Sequence, residues 1–353
     1  MRNFLPIVIL TLYVSSSTGC DSGTASDKKE SPSETETAPA ATLCDGSSAD
    51  GSLSPEAITM LPLPDYCGTI ITTGTKITFK SLSDNIEISV TQDAEATPVW
   101  QSTNDFTFNE TGTFYLAARP SADCADSDIY RRNYTVLDSF FGAADTPNNN
   151  AVHMDSSVLT GWATGYKDYL PSKDVSDEWK DPVLATGKAS GTSTDIVSLG
   201  NNGSIVLTFN QPITNGTGID FAVFENSFSN YFLELAWVEV SSNGKDYVRF
   251  DSISLTEEPV DGYGTIDPTL IHGLAGKYRQ GYGTPFDLSE LSYHRAVIDN
   301  RVDINEIRFI RIVDITGDGN DFDSFGNPIY DPYPTMGSVG FDLDAVGKAN
   351  SEL

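Results

Sequence analysis

Apolar and polar residues alternate over short stretches along most of this chain, as in Lys76–Ser81, Ile86–Thr91, Ser204–Phe209 and Trp237–Ser241, and clusters of Gly, Asn, Asp and Pro separate them. Alternation with period two sends every second side chain to one face, the mark of half-buried strands, whereas stretches with a helical period are nearly absent. The chain is therefore read as all-β. Residues 51–138 hold candidate strands at Lys76–Ser81, Ile86–Thr91, Thr97–Gln101, Phe106–Asn109, Gly112–Arg119 and Arg132–Leu137. So many short strands in so few residues predict a small immunoglobulin-like sandwich. Residues 139–349 are too many for such a domain and suit a larger jelly-roll β-sandwich. Within this unit Asn243-Gly244 sits between two alternating runs, a strong short-range hairpin signal.

The start of the chain follows other rules. Arg2 precedes an almost unbroken apolar run from Phe4 to Val14, and small residues follow, so residues 1–19 read as a secretory signal. The run is shorter than the ~20 apolar residues a membrane-spanning helix needs. Residues 20–50 are the tether; from Asp21 to Thr42 they are rich in Ser, Thr, Ala, Glu, Lys and Pro with no aromatic side chain. Such a composition cannot bury a core. Ser17-Thr18-Gly19-Cys20 resembles the lipobox of bacterial lipoproteins, departing from it at Ser17, where that family has leucine. The resemblance implies that Cys20 is lipidated and becomes the mature N-terminus. It places the chain outside the cytoplasm, lipid-anchored to a bacterial membrane, with the outer membrane facing the cell surface as the expected location.

Charge narrows the partners. The formal net charge is −29, from 50 acidic and 21 basic residues, and the pI is about 4.1. A surface this negative repels phosphate backbones and acidic headgroups, so nucleic acid is excluded as a partner and cations are favoured. With Cys20 lipidated, Cys44, Cys67 and Cys124 remain, and export predicts one disulfide among them without choosing the pair. With His153, His272 and His294 the only histidines and no Cys-x-x-Cys spacing, a zinc site is not expected. Nucleophile-elbow, phosphate-loop and His-Glu-x-x-His motifs do not occur either, and the chain is read as non-catalytic.

Three constellations carry candidate chemistry. Between Arg311 and Gly347 lie seven aspartates with no intervening Lys or Arg. In its Phe341–Val346 run, Asp342 and Asp344 are two apart and share a strand face, away from Phe341, Leu343 and Ala345. Two such carboxylates repel unless water or a cation lies between them, and a calcium-type ion, which takes six to eight oxygen ligands, fits. Asp314, ending its own strand, and Glu225, which continues the apolar face of Phe221 and Val223, complete the expected ligand set. The alternatives are a solvated acidic loop and, for Glu225, a salt bridge to Arg308 or Arg311. The stretch is not an EF-hand, because Phe325 and Pro332 stand where ligands are required. The third constellation is the 28-residue loop Asp261–Leu288, with Tyr263, His272, Lys277, Tyr278, Arg279 and Tyr282 as candidate ligand contacts. A loop of that length either presents a binding platform or packs on itself over one end of the sandwich.

Two further resemblances rest on longer stretches. The turn in "NETGTFYLAAR" with its closing strand resembles Ig-like modules of bacterial surface proteins. The segments "VSLGNNGSIVLTF", "DFAVFENSF", "WVEVSSNGKDYVRF", "IRFIRIVDI" and "GFDLDAVG" together resemble a family of bacterial cell-surface proteins marked by DFAVFEN and a terminal FDLDAV strand. That family implies a surface lipoprotein linked to outer-membrane corrinoid uptake. The jelly-roll reading with a structural calcium also resembles carbohydrate-binding modules, whose aromatic rings stack on sugars. The expected function is non-catalytic capture of a small-molecule or glycan ligand at the cell surface. A corrinoid-capturing lipoprotein serving a transporter, and a purely structural or adhesive surface protein, are the alternatives.

Overall fold

The computed structural model describes residues 63–80, 86–120 and 129–349; the signal, the tether, Cys20, Cys44 and Cys124 lie outside them. Cys67 is disulfide-bonded.

The first unit contains β1 (Leu63–Pro64), β2 (Ile70–Thr72), β3 (Lys76–Lys80), β4 (Ile86–Thr91), β5 (Gln101–Ser102), β6 (Asp105–Thr107), β7 (Gly112–Pro120) and β8 (Tyr130–Leu137). They form a three-stranded sheet in the order β1-β3-β6 facing a five-stranded sheet in the order β2-β8-β7-β4-β5. β2 joins β8 in parallel and the other pairs are antiparallel, an Ig-like sandwich. β8 shows how the pattern specifies the fold: Tyr130, Arg132, Tyr134 and Val136 are buried, while Arg131, Asn133 and Thr135 face solvent. Ile77, Phe79, Phe108, Leu116 and Tyr134 meet in the core, each large side chain contributing about 1.5–3 kcal/mol by its burial. The strand expected at Thr97–Gln101 shrinks to β5, since Pro98 lacks the N–H a ladder requires.

The second unit contains β9 (Val152–His153), β10 (Leu159–Trp162), β11 (Gly165–Leu170), β12 (Val197–Ser198), β13 (Ser204–Ile213), β14 (Phe221–Glu225), β15 (Ala236–Ser241), β16 (Val248–Arg249), β17 (Ile253–Ser254), β18 (Ile271–His272), β19 (Tyr282–Phe286), β20 (Ile307–Asp314), β21 (Asp318–Phe322), β22 (Pro328–Tyr330) and β23 (Asp342–Ala349). One sheet runs β10-β23-β14-β19-β9, with β12 also on β23, and the other runs β11-β13-β20-β15-β16. Taking β10, β13, β14, β15, β16, β19, β20 and β23 in chain order, strands one, eight, three and six form one layer and two, seven, four and five the other. This interchange is the jelly roll. Ile205, Leu207, Val238, Ile310 and Ile312 from one sheet pack against Phe221, Val223, Leu343 and Val346 from the other.

Two local expectations change. Asn243-Gly244 does connect β15 to β16, but within a loop spanning residues 242–247 rather than as a two-residue turn. Asn243 Oδ1 accepts from the amides of Lys245 (2.8 Å) and Asp246 (2.9 Å), so the side chain organises a longer turn. In β23 the register against β14 slips between Ala345 and Leu343, leaving Asp344 as an extra residue. Ala345 therefore leaves the face of Phe341 and Leu343 and packs with Ala222 and Phe224 on the outer side of its sheet.

The two sandwiches share an apolar seam. Ile253, Tyr293 and Phe325 of the second unit pack into the first core, and Tyr66 stacks on Phe325 with ring centroids 4.9 Å apart. Asp251 accepts from the Cys67 amide (2.7 Å) and from Ser324 Oγ (2.8 Å). Buried Arg132 donates to the Glu290 carbonyl (3.0 Å) and lies over the Tyr293 ring. With donors and rings crossing the seam together, the described units should unfold in one calorimetric transition. Asp251→Ala should lower its midpoint, because the Cys67 amide loses its acceptor, a loss of about 1–3 kcal/mol. Two resolved transitions in the parent chain would contradict this coupling.

Candidate functional site

Strand polarity brings the acidic residues to one end of the jelly roll. Glu225 ends β14, Asp314 ends β20 opposite Ala236 at the start of β15, and Asp342 starts β23 opposite Ser198 at the end of β12. Glu234 lies two residues before β15, and Asp331 follows β22 by one. Most of the aspartate run is not solvated: Asp314, Asp331, Asp342 and Asp344 are all at most 2% exposed, whereas Asp318 faces solvent.

Most of these carboxylates are held by N–H groups. Asp314 accepts from the amides of Phe341 (2.7 Å) and Asn202 (2.9 Å), and Asp344 from those of Ser190 (2.8 Å) and Gly191 (2.9 Å). Asp331 takes the Leu235 amide at 2.8 Å. Asp342 accepts from Ser198 Oγ and from Asn226 Nδ2. Glu225 and Glu234 differ. Glu225 takes the Ser227 amide on Oε2 (2.7 Å), yet its Oε1 and the Oε1 of Glu234 are buried without a hydrogen-bond partner.

Burial pushes the carboxyls of Glu225, Glu234, Asp314 and Asp331 well above the ordinary carboxylate range, and their mutual repulsion adds to it. Burial also lifts Asp342, against the pull of its hydroxyl and amide donors, to about 6. The salt bridge considered for Glu225 is not made: Arg311 pairs with Glu239, and Arg308 with Glu306 at 3.2 Å. Nor do the four expected cation ligands Glu225, Asp314, Asp342 and Asp344 converge. Asp314 and Asp344 are each committed to two backbone amides, and among the described residues no three His, Cys, Asp or Glu side chains form a ready metal-ligand set. Glu234 was missed because the alternating "LELAW" pattern assigns it to solvent. Leu233, Leu235 and Trp237 instead pack outward under the covering loops, so Glu234 shares the inward parity of Ala236.

The loop Asp261–Leu288 is largely packing. Ile266, Ile271 and Leu274 cover the outer face of the second sheet against Leu233, Leu235 and Trp237. Tyr278 is 1% exposed and its hydroxyl bonds Asn150 Oδ1. Lys277 is buried, donates to the Ile271 carbonyl at 2.6 Å, and is pushed down by burial to about 7. His272 stacks on Phe140, and burial, with Lys277 adding, takes it down to about 3. Arg279 lies over the ring of Tyr282, which also meets the edge of His153. The six expected ligand contacts therefore do not form one platform, because the apolar residues between them draw the loop onto the sheet.

Tyr263 is the exception, at 73% exposed, and it meets rings the sequence reading left out. Phe228, also exposed, stacks on Phe232 at 4.8 Å, and Phe232 stacks on Tyr263 at 6.3 Å, both at 22° between ring planes. Phe228 and Phe232 sit in the loop from Asn226 to Leu233, directly between Glu225 and Glu234. Ser227 Oγ donates to the carbonyls of Ser229 and Phe232, Ser229 Oγ accepts from the Phe232 amide at 2.8 Å, and the Tyr231 carbonyl accepts from the Ile266 amide at 2.7 Å. A recess of about 620 Å³, lined by Glu257, Glu258, Val260 and Leu270 among others, also borders Asp261 and Gly264, either side of Tyr263. Three aromatic rings in a Ser/Asn-rich segment were the available signal: "ENSFSNYF" has too little alternation for a strand.

No protein-family model matches the chain, and no curated protein does.

The carboxyl shifts set a pH dependence. A carboxyl whose folded pKa is raised keeps its proton where the unfolded chain has lost it, so stability is full below the unfolded value and falls as pH rises through the folded one. Asp342 and Asp220, both lifted by burial from 3.8 to about 6, place that fall between about pH 4 and 6. Glu225, Glu234, Asp314 and Asp331 act in the same direction. His272, depressed from 6.5 to about 3, opposes them over this window but is a single group. In chelator-containing buffer the melting temperature should therefore fall from pH 4.5 to 6.5. A steady rise over that interval would show that these carboxyls are not protonated in the fold.

Proposed function

We propose that this protein is an exported, lipid-anchored, non-catalytic binding protein whose jelly-roll unit captures a neutral glycan on the Phe228, Phe232 and Tyr263 rings. The observation that carries the reading is this stack, whose outer rings Phe228 and Tyr263 are open to solvent on a hydrogen-bonded loop. Contiguous exposed apolar surface marks interaction sites. The exposed outer rings Phe228 and Tyr263 offer flat apolar surface that suits the C–H face of a sugar, and the neighbouring recess, within the usual ligand-pocket range, is lined by carboxylates that can accept from hydroxyls. A net charge of −29 disfavours sulfated or uronate-bearing glycans. Cys20 supplies the anchor in this proposal, with the cell surface as its place of action.

Titration of the full chain with neutral oligosaccharides by calorimetry tests the reading, a corrinoid being titrated in parallel. Phe228→Ala, Phe232→Ala and Tyr263→Ala should each weaken glycan binding roughly 2- to 10-fold, on the order of an aromatic contact, and shift the melting temperature little. Tyr278→Ala should do the reverse, costing about 3–5 kcal/mol of stability as a core truncation while leaving affinity unchanged. Binding that survives loss of all three stacked rings, or that is found for the corrinoid alone, would sink the glycan assignment. For the anchor, Cys20→Ser should move the chain from the membrane fraction to the soluble exported fraction; retention in the membrane would refute lipidation there.

A further inference from the structure

Glu225 and Glu234 stand at the two ends of the loop that carries Phe228 and Phe232. They are 1% and 4% exposed, and Glu225 Oε2 is engaged by the Ser227 amide at 2.7 Å. Each Oε1 is buried and has no partner. Such an oxygen is the costliest state for a carboxylate, since it has lost water and gained nothing. The charged groups that act on the pair most strongly are acidic. Asp342 and Asp344 influence Glu225, while Asp342, Asp331 and Glu225 influence Glu234. Arg308 and Arg311 are engaged with Glu306 and Glu239.

We propose that a hard divalent cation, calcium by preference, binds between Glu225 and Glu234 through their two free Oε1 atoms and pins both ends of the ring-bearing loop. Two carboxylates supply the charge, and neutral oxygens and water fill the remaining positions, as six- to eight-fold oxygen coordination at flexible geometry permits. The two ligands named are carboxylate oxygens, which suit a hard ion better than zinc or copper. The assignment differs from the ligand set read from the sequence: Glu234 enters, and Asp314 and Asp344 serve instead as acceptors for backbone amides. It stands apart from the glycan reading, because nothing in it requires a sugar.

The test is a thermal melt of the full chain at pH 7.5 without any glycan, first in excess chelator and then in Ca²⁺ or Mg²⁺ at matched ionic strength. Calcium should raise the midpoint by several degrees, more than magnesium does, and calorimetric titration should give one equivalent bound. Glu225→Gln and Glu234→Gln keep shape and remove charge. Each should melt in chelator at or above the parent and lose the calcium response, whereas Asp344→Asn should melt lower yet keep that response. A parent chain that melts identically in chelator and calcium would overturn the proposal. So would a full calcium response in Glu234→Gln, or a response lost only in Asp344→Asn. Since the readout is stability without sugar, failure of glycan binding leaves these results unaffected.

Discussion

A carboxylate taken out of water must find a donor, a proton or a cation, and the second sandwich is arranged around that requirement. Its acidic end buries six carboxyls where the core of an ordinary jelly roll is capped by loops. The donors come from the caps themselves: the Phe341 and Asn202 amides for Asp314, Ser190 and Gly191 for Asp344, Leu235 for Asp331. Each acid thus fastens a connecting segment onto the end of a strand. Glycines make the room. At Gly340, with φ +65°, a Cβ would fall 2.3 Å from Asp314 Oδ1, and at Gly317, with φ +79°, one would fall 1.8 Å from Asp331 Oδ1. No side chain fits at either position, and both backbone conformations favour glycine.

This arrangement explains how rings can remain exposed on a defined surface. The loop between Glu225 and Leu235 leaves one strand of each sheet at its acidic end, so its course is fixed by what those acids hold. Phe232 is wedged between Phe228 and Tyr263, and the segment bearing Tyr263 is anchored where Ile266 and Ile271 enter the outer cluster. The rings are therefore carried by short segments whose ends are buried, which limits the entropy lost when they meet a ligand.

The all-β class and the division into a small and a large sandwich were legible because alternation survives wherever one face is wet, as in β8. Legibility failed where both faces are covered. Glu234 sits among leucines that pack outward rather than inward, so the usual parity inverts. Asp344 occupies a bulge, so counting by twos from Phe341 gives the wrong face for Ala345. In Asp261–Leu288 the aromatic and basic residues drew attention, but Ile266, Ile271 and Leu274 determined its course. Phe228 and Phe232 were passed over because exposed stacking depends on the paths of two separate loops, which local pattern does not encode.

β23 has a consequence for how the second unit comes into being. It lies inside its sheet, bonded to β10 and β12 on one side and β14 on the other, although β10 precedes it by well over a hundred residues. Until Asp342–Ala349 has been synthesised, β10 and β14 present open edges with nothing between them. Such edges recruit strands from other chains, and pairing over so long a separation is slow. A polypeptide halted before Asp342 would carry an almost complete second unit and still be prone to aggregate, which makes synthesis of β23 a condition of closing that sheet.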